Sequence, residues 1–331
     1  MRILVTGGSG FIGTNFITKA LTKDHIVYNI DNLGLFQKDQ NKKNKNYIFD
    51  KIDIRNKQSL MSVIQNFKPN KIIHMAAESH VDKSIQNSDE FIDTNIKGTH
   101  SILEASLDFF KSKNVSQNFC FHHVSTDEVY GSLKKGENSF TEKSPYKPNS
   151  PYSASKASSD HLVRAWQETY KLPCVITSCG NNFGPYQHPE KFIPVIILNG
   201  IKKQKIPIYG TGQNIRDWIY VEDHVDALIT IMERNIKNKN YLIGSNNEKE
   251  NIEVVNTICS ILDKKLDTDF SHHDLKFFVE DRLGHDFRYS INSELIKNEI
   301  KWKPKIDFIS GIDKTVAWYI ANQDWFKGSC V

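Results

Sequence analysis

The strongest fold signal in this chain is the run Ile3-Leu4-Val5-Thr6-Gly7-Gly8-Ser9-Gly10-Phe11-Ile12-Gly13. Its apolar start is typical of a buried strand, and a helical pattern follows the glycines to about Lys23. Gly7, Gly10 and Gly13 are evenly spaced, so the backbone can approach a pyrophosphate at the N-terminus of the helix. The run therefore predicts a dinucleotide-binding turn between the first strand and the first helix.

A carboxylate at the end of the next predicted strand, Ile26 to Ile30, indicates which dinucleotide binds. Asp31 lies 18 residues beyond Gly13, where it can accept hydrogen bonds from an adenosine ribose. Because its charge would repel a 2′-phosphate, we expect NAD rather than NADP. The alternative for Asp31 is a helix cap or a turn. Asp53 and Ile54, after a further turn, could contact the adenine, although Asp53 could equally be a cap.

Strand-like and helix-like segments alternate through the first half of the chain, which is typical of βαβ units and a parallel sheet. The alternation ends near Gly180, where prolines and glycines accumulate. We therefore predict an α/β protein with a Rossmann-like, doubly wound parallel sheet and a smaller C-terminal α/β lobe. Residues 1–179 would bind the dinucleotide, with segments from about 215–240 returning to this domain. Residues 180–331 would mainly bind substrate.

Composition argues against several classes of protein. The 331 residues carry a net charge of +4 without a long basic stripe, so we expect no nucleic-acid partner. No run of about 18 apolar residues occurs, so we expect no membrane span. The chain starts directly in a strand without a signal peptide, and its five cysteines show no paired spacing, which favours a reducing cytoplasm. We expect no metal site, because the adjacent pairs His122-His123 and His272-His273 would point to opposite faces of a strand.

Acid–base chemistry is indicated by Ser125-Thr126-Asp127-Glu128 at a strand end and by Tyr152-Ser153-Ala154-Ser155-Lys156 on a predicted helix. Tyr152 and Lys156 are one helical turn apart and share a face. A free tyrosine has a pKa of about 10, so a base near neutral pH needs about 4 kcal/mol of anion stabilisation. We expect Lys156 and a nicotinamide cation to provide it. Asp127 and Glu128 would add a second acid and base; alternatively, the aspartate is an N-cap and the glutamate a surface charge.

Small residues follow the predicted strand that ends at His74. The stretch Met75-Ala76-Ala77-Glu78-Ser79 would lie at the carboxyl edge of the sheet, where ligands bind in such folds. Tight packing against a helix is the alternative explanation.

With these motifs, the chain resembles the extended short-chain dehydrogenase/reductases and, among them, the dTDP-glucose 4,6-dehydratases. The resemblance runs from residue 1 to about 320, and the matching stretches are Ala76 to Ile85, Ser125 to Gly131, Tyr152 to Lys156, Asn181 to Gln187, Asn214 to Trp218 and Gly284 to Asp286. The Thr126-Asp127-Glu128 triplet is its specific part, because related epimerases and decarboxylases lack the acidic pair. The segment after Asp31 departs from the family pattern.

The resemblance implies a reaction that starts with NAD-dependent oxidation at C-4 of dTDP-glucose. Tyr152 would take the proton of the 4-hydroxyl, which Thr126 binds, while Lys156 holds the nicotinamide ribose. Glu128 would then remove the C-5 proton, and Asp127 would protonate the departing 6-hydroxyl. Return of the hydride to C-6 and of a proton to C-5 would give a 4-keto-6-deoxy sugar nucleotide and regenerate NAD.

The resemblance also implies which residues hold the two ligands. Those for NAD are Gly7, Gly10, Phe11, Ile12, Gly13, Asp31, Asn32, Asp53, Ile54, Met75, Ala76, Ala77, Ser79, Thr94, Tyr152, Lys156 and Asn182. Those for the nucleotide sugar are Ser79, Thr126, Asn181, Lys191, Phe192, Pro207, Ile208, Tyr209, Arg216, Asn247, Arg282 and His285. Only seven residues are arginines. Arg216 lies in a matching stretch, and Arg282 and Arg288 flank another, where guanidinium groups suit a diphosphate, although Arg288 could be a surface charge.

Three questions stay open at this point. The substrate could carry another base, as UDP-glucose does, because the methyl group that separates thymine from uracil contributes only about 1–3 kcal/mol. A non-catalytic NAD-responsive binding protein is a different class of function, but intact Thr126, Tyr152 and Lys156 argue against it. Apolar positions on helices Phe91 to Phe110 and Tyr152 to Tyr170 could form a four-helix bundle with a second subunit. The resemblance implies such a homodimer; alternatively, both helices pack only on the parent sheet.

Overall fold

A computed structural model describes residues 1–32, 41–112, 115–281 and 284–325. The strands in these ranges are β1 Arg2–Thr6, β2 Ile26–Asp31, β3 Tyr47–Lys51, β4 Lys71–His74, β5 Cys120–Thr126, β6 Cys174–Cys179, β7 Asn181–Phe183, β8 Ile206–Tyr209, β9 Ile215–Tyr220, β10 Lys239–Ile243, β11 Glu248–Glu250 and β12 Lys276–Val279. The α-helices are α1 Phe11–Thr22, α2 Lys57–Phe67, α3 Val81–Gln86, α4 Asp89–Phe91, α5 Thr99–Phe110, α6 Pro151–Tyr170, α7 Phe192–Ile201, α8 Val221–Glu233, α9 Asn251–Lys265, α10 Glu294–Ile300 and α11 Phe308–Ala321.

Seven parallel strands form the central sheet, in the order β10-β6-β5-β4-β1-β2-β3. From β6 to β3 this is the order of a doubly wound nucleotide-binding sheet, and β10 extends its β6 edge. The predicted fold class is therefore confirmed. The order in which successive strands are added reverses between β1 and β4, with β2 and β3 on one side and β5 and β6 on the other, so a ligand crevice is expected where the carboxyl ends of β1 and β4 meet.

Burial on both faces explains why these strands read as apolar runs. Ile3, Leu4 and Val5 of β1 are completely buried. Ile3 and Val5 face a core shared with α1 and α8, whereas Leu4 faces a core shared with α2, α5 and α6. A strand covered by helices on both sides has no solvated face, and therefore no polar alternation.

The later part of the chain builds a further core of its own. β9 pairs with β7 and β11, and β8 pairs with β12. Buried side chains from α7, α9 and α11 pack together there, among them Ile193, Ile197, Ile258 and Ile312. The strand β10 lies in the central sheet, although it follows this lobe's first strands in sequence. The division of the chain near residue 179 stays a prediction.

Two local features differ from the predicted pattern. The expected single helix from Phe91 to Phe110 contains a π-helical stretch, Ile92–Gly98, between α4 and α5. Gly98 lies in close contact with Ile54, since an added Cβ would be 2.5 Å from its Cδ1 atom. Strand β3 was not predicted, because it is an edge strand with no buried side chain and an apolar run of only three residues, Tyr47 to Phe49.

No helix within the described ranges is both long enough and apolar enough to cross a membrane.

Candidate active site

The turn between β1 and α1 has the geometry of a phosphate cradle. Gly7 has a φ of +70°, and a Cβ atom added there would lie 2.5 Å from the backbone nitrogen of Ala76. A Cβ atom on Gly13 would lie 2.4 Å from the carbonyl oxygen of Gly7. Side chains are therefore excluded from both positions. Because α1 begins at Phe11, the N–H groups of Phe11, Ile12 and Gly13 lack acceptors within the helix and can bind an anion.

Asp31 lies beside this cradle. Its Oδ2 atom accepts a hydrogen bond of 2.8 Å from the backbone N–H of Ser9, which belongs to the glycine-rich turn. This is the position that a ribose-binding carboxylate would need, and the role itself stays a prediction. The next residue, Asn32, is exposed, and residues 33–40 lie outside the described ranges.

Asp53 and Ile54 have structural contacts of their own. The Asp53 carboxylate accepts a hydrogen bond of 2.8 Å from the Arg55 N–H and pairs with its guanidinium at 2.5 Å. This guanidinium is the main cause of a lowered pKa for Asp53. The Ile54 side chain is buried against Gly98. An adenine contact by this pair therefore stays a prediction.

The residues after β4 lie against the cradle, at the carboxyl edge of the sheet. Met75 donates a backbone hydrogen bond of 3.0 Å to the Thr6 carbonyl, and Ala76 donates one of 3.2 Å to the Thr6 Oγ1 atom. Ala77 and Ser79 follow; Ala77 is half-buried and Ser79 is exposed. The structure thus brings the small residues of this stretch to the crevice between β1 and β4.

Asn95, which the sequence analysis missed, fixes this edge to the helix that carries Tyr152. Its Oδ1 atom accepts from the Glu78 N–H at 2.8 Å, and its Nδ2 atom donates to the Glu78 carbonyl at 3.0 Å and to the Ser155 Oγ at 2.8 Å. Asn95 follows the half-buried Thr94 in the π-helical stretch. No local sequence pattern marked Asn95, because its partners are distant in the chain.

The Thr126-Asp127-Glu128 triplet lies at the carboxyl end of β5, where a 3-10 turn spans Asp127–Tyr130. Thr126 caps this turn, since its Oγ1 atom accepts from the Glu128 N–H at 3.3 Å. The alternative in which Asp127 is the N-cap is therefore wrong. Glu128 is half-buried, so it is not a fully exposed surface charge.

Asp127 is held toward its protonated form. Its side chain is almost completely buried, and burial raises the pKa of Asp127 well above its usual range. The charges of Glu128 and Asp217 raise that pKa further, while Arg216 opposes them. Two neighbouring carboxyl groups in different surroundings can act as acid and base in one reaction.

Tyr152 lies in the first turn of α6, and Lys156 lies one turn later. Ser150 caps this helix, and its Oγ atom accepts the Ser153 N–H at 3.1 Å. Tyr152 and Lys156 are both buried. Burial and then the charge of Glu128 raise the pKa of Tyr152 well above its usual value, and a hydrogen bond with Thr126 opposes this increase.

The expected contribution of Lys156 to a low tyrosine pKa is not seen among the protein's own groups. The Lys156 Nζ atom donates a hydrogen bond of 2.9 Å to the Val124 carbonyl of β5. Burial lowers the pKa of this ammonium. The side chain is therefore directed at the sheet, and the predicted stabilisation of a Tyr152 anion needs a further positive charge.

Lys191 and Phe192 bring the later lobe to the triplet. The Lys191 Nζ atom donates a hydrogen bond of 2.7 Å to the Ser79 carbonyl. Burial lowers the pKa of Lys191, and the charge of Glu128 is the main effect that raises it. Phe192 stacks on Trp218 with ring centroids 6.0 Å apart.

Asn181 and Asn182 occupy β7, beside the end of the central sheet. The Asn181 Oδ1 atom is buried without a hydrogen-bond partner among the described residues. Such an acceptor is a candidate for a ligand hydroxyl. Asn182 is held in place, because its Nδ2 atom donates to the Gly180 carbonyl at 3.0 Å and its Oδ1 atom lies 2.9 Å from the His224 Nδ1 atom.

The three predicted phosphate-binding arginines have different surroundings. Arg216 is buried, with its guanidinium 4.4 Å from the centre of the Tyr289 ring and a hydrogen bond of 2.9 Å to the Asp286 carbonyl. Arg288 instead forms an internal ion pair with Glu248, with hydrogen bonds of 2.5 and 2.7 Å. Arg282 lies outside the described residues.

Strand β8 contains three of the predicted substrate residues, which point in different directions. Ile208 is completely buried in the core of the later lobe, so a ligand contact there would have to use its backbone. Pro207 is half-buried, and Tyr209 is 41% exposed. Tyr209 is therefore the side chain of β8 most accessible to a ligand.

Asn247 and His285 are each held by an aspartate. The Asn247 N–H donates to the Asp217 Oδ1 atom at 2.8 Å, and Asp217 is completely buried. His285 Nδ1 lies 2.6 Å from the Asp281 Oδ1 atom. Sequence reasoning quoted Asp217 inside a motif but assigned it no task. Its buried carboxylate orders residues 245–247 next to the triplet.

Comparisons with known proteins extend over both parts of this fold. Residues 4–315 match a protein-family model described as GDP-mannose 4,6 dehydratase. A dTDP-glucose 4,6-dehydratase of Neisseria meningitidis serogroup B is 46% identical over 338 residues, covering 98% of this chain and 95% of that protein.

Solved structures give the same result. The structure of a dTDP-glucose 4,6-dehydratase from Bacillus anthracis, in complex with NAD, is 41% identical, with a TM-score of 0.87 and 99% of each chain covered. That of a dTDP-glucose 4,6-dehydratase from Streptomyces venezuelae, also with NAD bound, is 37% identical, with a TM-score of 0.90 and 98% of each chain covered. The similarity therefore includes the later lobe as well as the dinucleotide-binding sheet.

Proposed function

Because the chain belongs to the GDP-mannose 4,6-dehydratase family and is similar over its length to dTDP-glucose 4,6-dehydratases, we propose that it converts dTDP-glucose to dTDP-4-keto-6-deoxyglucose. This is the activity of an NAD-dependent hydro-lyase. The observation that carries the proposal is the arrangement at the end of β5. There a buried Asp127 and a half-buried Glu128 follow Thr126, and both Glu128 and the Thr126 hydroxyl affect the pKa of the buried Tyr152.

The residues around the first turn fit NAD. The cradle at Gly7 and Gly13 has no space for a Cβ atom, and the free N–H groups of the first turn of α1 lie beside it. The Asp31 carboxylate lies at this turn through its hydrogen bond with Ser9, where it would favour a free ribose hydroxyl over a 2′-phosphate. When bound, NAD supplies the acceptor that takes a hydride from the sugar and later returns it.

The first proton transfer uses Tyr152 and Thr126. The Thr126 hydroxyl lies close enough to Tyr152 to lower the pKa of its phenol, so an alcohol bound beside them can be oriented by both side chains. Tyr152 would take the proton of the 4-hydroxyl as C-4 becomes a ketone. Because burial and Glu128 hold the pKa of Tyr152 high, its anion must be favoured by positive charge in the complete complex.

The elimination uses the acidic pair. The C-4 ketone makes the C-5 proton acidic, and Glu128 would remove that proton. Asp127 would donate its proton to the departing 6-hydroxyl, which leaves as water. The environments of the two side chains support these separate tasks, because burial raises the pKa of Asp127 and keeps its proton in place.

We propose that residues 1–179 carry NAD and that residues 180–331 mainly bind the nucleotide sugar. Lys191, Asn181 and Arg216 support this, because each belongs to the later lobe and lies at the shared site: Lys191 bonds to Ser79, and Arg216 acts on the pKa of Asp127. Thymidine as the base rests on the relatives' names, and UDP-glucose is the competing substrate.

The direct test incubates the purified protein with NAD and either dTDP-glucose or UDP-glucose. We expect a 4-keto-6-deoxy product from dTDP-glucose at a kcat/KM about tenfold or more above that for UDP-glucose, since one methyl group contributes about 1–3 kcal/mol. Absence of a ketone with both sugars would rule out the dehydratase function. Faster turnover of UDP-glucose would rule out only the assigned base.

We also propose a homodimer in the cytoplasm. Phe91, Ile102, Leu103 and Leu107 of the predicted interface are buried within the chain, so they cannot form it. Ile92 on the neighbouring π-helical stretch and Tyr170 on α6 remain 43% and 42% exposed, so both side chains are available to a second subunit. Sedimentation that gave a single monomer at micromolar concentration would contradict the dimer.

Four buried, unpaired cysteines in the described ranges support a reducing compartment.

A further inference from the structure

A buried carboxylate behind the proposed catalytic residues has no task in the reaction described so far. Asp160 lies one helical turn after Lys156 on α6 and is 2% exposed. Its Oδ2 atom accepts hydrogen bonds from the Ser125 hydroxyl at 2.8 Å and from the Tyr146 hydroxyl at 2.9 Å. Its Oδ1 atom lies 3.1 Å from the His123 Nε2 atom, without the geometry of a hydrogen bond.

These partners connect Asp160 to the strand that ends in the catalytic triplet. His123 and Ser125 belong to β5, and Ser125 immediately precedes Thr126. The same helix that carries Asp160 also carries Tyr152. A change in the position of this carboxylate would therefore shift Tyr152 of α6 relative to Thr126 at the end of β5. Proton transfer is sensitive to such displacements.

Asp160 also carries a negative charge one helical turn from the Lys156 ammonium. The Lys156 ammonium is buried, and its hydrogen bond goes to the neutral carbonyl of Val124. Burial lowers the pKa of Lys156, and Asp160 is the main effect that raises it. Conversely, burial raises the pKa of Asp160 to about 6, and Lys156 is the main effect that lowers it. Each charge thus makes burial of the other less unfavourable.

The other titratable groups near Asp160 do not supply this charge balance. Burial lowers the pKa of His123 well below its usual value, which favours the neutral imidazole. The Tyr146 hydroxyl donates to Asp160 and is therefore held as a neutral phenol. His161 has only a minor effect on Asp160, and burial raises the pKa of the Cys179 thiol to about 12.

We propose that Asp160 is a positioning residue for the reaction: it fastens α6 to the catalytic end of β5 and keeps the Lys156 ammonium charged. The inference rests on the proposed function, because it requires Tyr152 and Lys156 to work as the base and its charged partner. Asp160 itself does not contact the reacting atoms in this arrangement.

The test compares the pH dependence of kcat/KM for dTDP-glucose in the wild type, Asp160→Asn and Asp160→Glu. We expect the alkaline limb of the Asp160→Asn profile to move down by about one pH unit or more, because Lys156 loses its proton more readily without the carboxylate. The loss of activity relative to the wild type should therefore grow with pH, and at a pH above both alkaline limbs it should be up to roughly tenfold greater than at pH about 6.5. Asp160→Glu keeps the charge, so its alkaline limb should stay with that of the wild type.

Asp263→Asn is the matched control, since Asp263 also accepts hydrogen bonds from a serine and a histidine backbone but lies on the exposed end of α9. Its pH profile should equal that of the wild type. An Asp160→Asn profile that is unchanged, or lowered equally at every pH, would overturn the charge role.

Ser125→Ala keeps the inference testable if Asp160→Asn does not fold. This variant removes one hydrogen bond to Asp160 and keeps both charges. We expect kcat to fall several-fold with little change in KM and no shift of the alkaline limb; an unchanged kcat would overturn the anchoring role.

If the wild type forms no ketone from either sugar nucleotide, the proposed function fails as well. An active wild type with an unshifted Asp160→Asn profile overturns the inference about Asp160 alone.

Discussion

Replacement of Asp127 by asparagine tests the assignment of the elimination acid. Asparagine has the same shape and can still accept the hydrogen bond of 3.4 Å that the Thr126 hydroxyl donates to Asp127. Its amide N–H groups are too weakly acidic to protonate the departing 6-hydroxyl. The geometry of the 3-10 turn should therefore survive while its acid function is lost.

The expected size of the effect follows from the burial of this carboxyl group. General acid catalysis typically contributes a factor of about 10²–10⁴, or roughly 3–5 kcal/mol of the barrier. Because burial excludes water from Asp127, solvent cannot easily replace the missing proton donor. We therefore expect kcat for the 4-keto-6-deoxy product to fall by about 10³-fold, within the range known for acid–base groups.

The assay separates elimination from oxidation. Transient reduction of bound NAD after mixing with dTDP-glucose should persist in Asp127→Asn, while release of the deoxy product is slow. Product formation within about threefold of the wild-type rate would refute the acid role, since it is far less than the loss expected for a missing general acid. A protein that neither reduces NAD nor forms product would instead indicate a damaged site.

Stability gives a second, independent readout of the same substitution. Burial raises the pKa of Asp127, so the folded state binds its proton more tightly than the unfolded state does. Stability should therefore decrease as pH rises from about 4, the unfolded value, through the raised folded pKa. Asparagine does not ionise in this range, so the variant should not show this decrease in stability. The melting temperatures of the variant and the wild type should be similar near pH about 4 and diverge in favour of the variant toward pH about 8.

Three further substitutions test the other parts of the site. Glu128→Gln should block exchange of the C-5 hydrogen with solvent while oxidation at C-4 survives; normal water loss would remove Glu128 from the mechanism. Gly13→Ala would place a Cβ atom 2.4 Å from the Gly7 carbonyl oxygen. It should destabilise the fold by about 1–3 kcal/mol in thermal unfolding and weaken NAD binding in calorimetry; unaltered binding would contradict the cradle. Asp31→Asn should narrow the preference for NAD over NADP by about tenfold or more in titrations, since about 1.4 kcal/mol of repulsion disappears; an unchanged ratio would exclude Asp31 from ribose recognition.

Local sequence patterns were sufficient for the five inner strands of the central sheet, β6, β5, β4, β1 and β2. Strands such as β1 and β4 are short apolar runs followed by small residues. They are recognisable in the sequence because a strand that is buried on both faces needs apolar residues at nearly every position. The edge strand β3 has no such pattern, because it is only partly covered. The π-helical stretch Ile92–Gly98 was also missed, because its hydrogen-bond pattern depends on contacts with distant segments that no helical periodicity displays.

The site was predictable only in part for the same reason. The Tyr152–Lys156 pair and the acidic triplet are recognisable by spacing, because their chemistry requires those residue types near one another. Whether Asp127 is buried, or which group faces Lys156, depends on residues brought together from far apart in the chain. Asn95, Asp160 and Asp217 escaped notice because each acts through such long-range hydrogen bonds.

The amino-acid sequence alone determined the fold class, the cofactor preference and the kind of reaction, since glycine spacing, strand patterns and the Thr126-Asp127-Glu128 order are local properties. The tertiary structure decided how those groups are charged and held. Desolvation depends on everything packed around a side chain, and it is desolvation that raises the pKa of Asp127 and of Tyr152 and makes Lys156 depend on Asp160. The tertiary structure also decided the partner of Arg288, which forms an ion pair with Glu248 at a distance of 40 residues in the sequence.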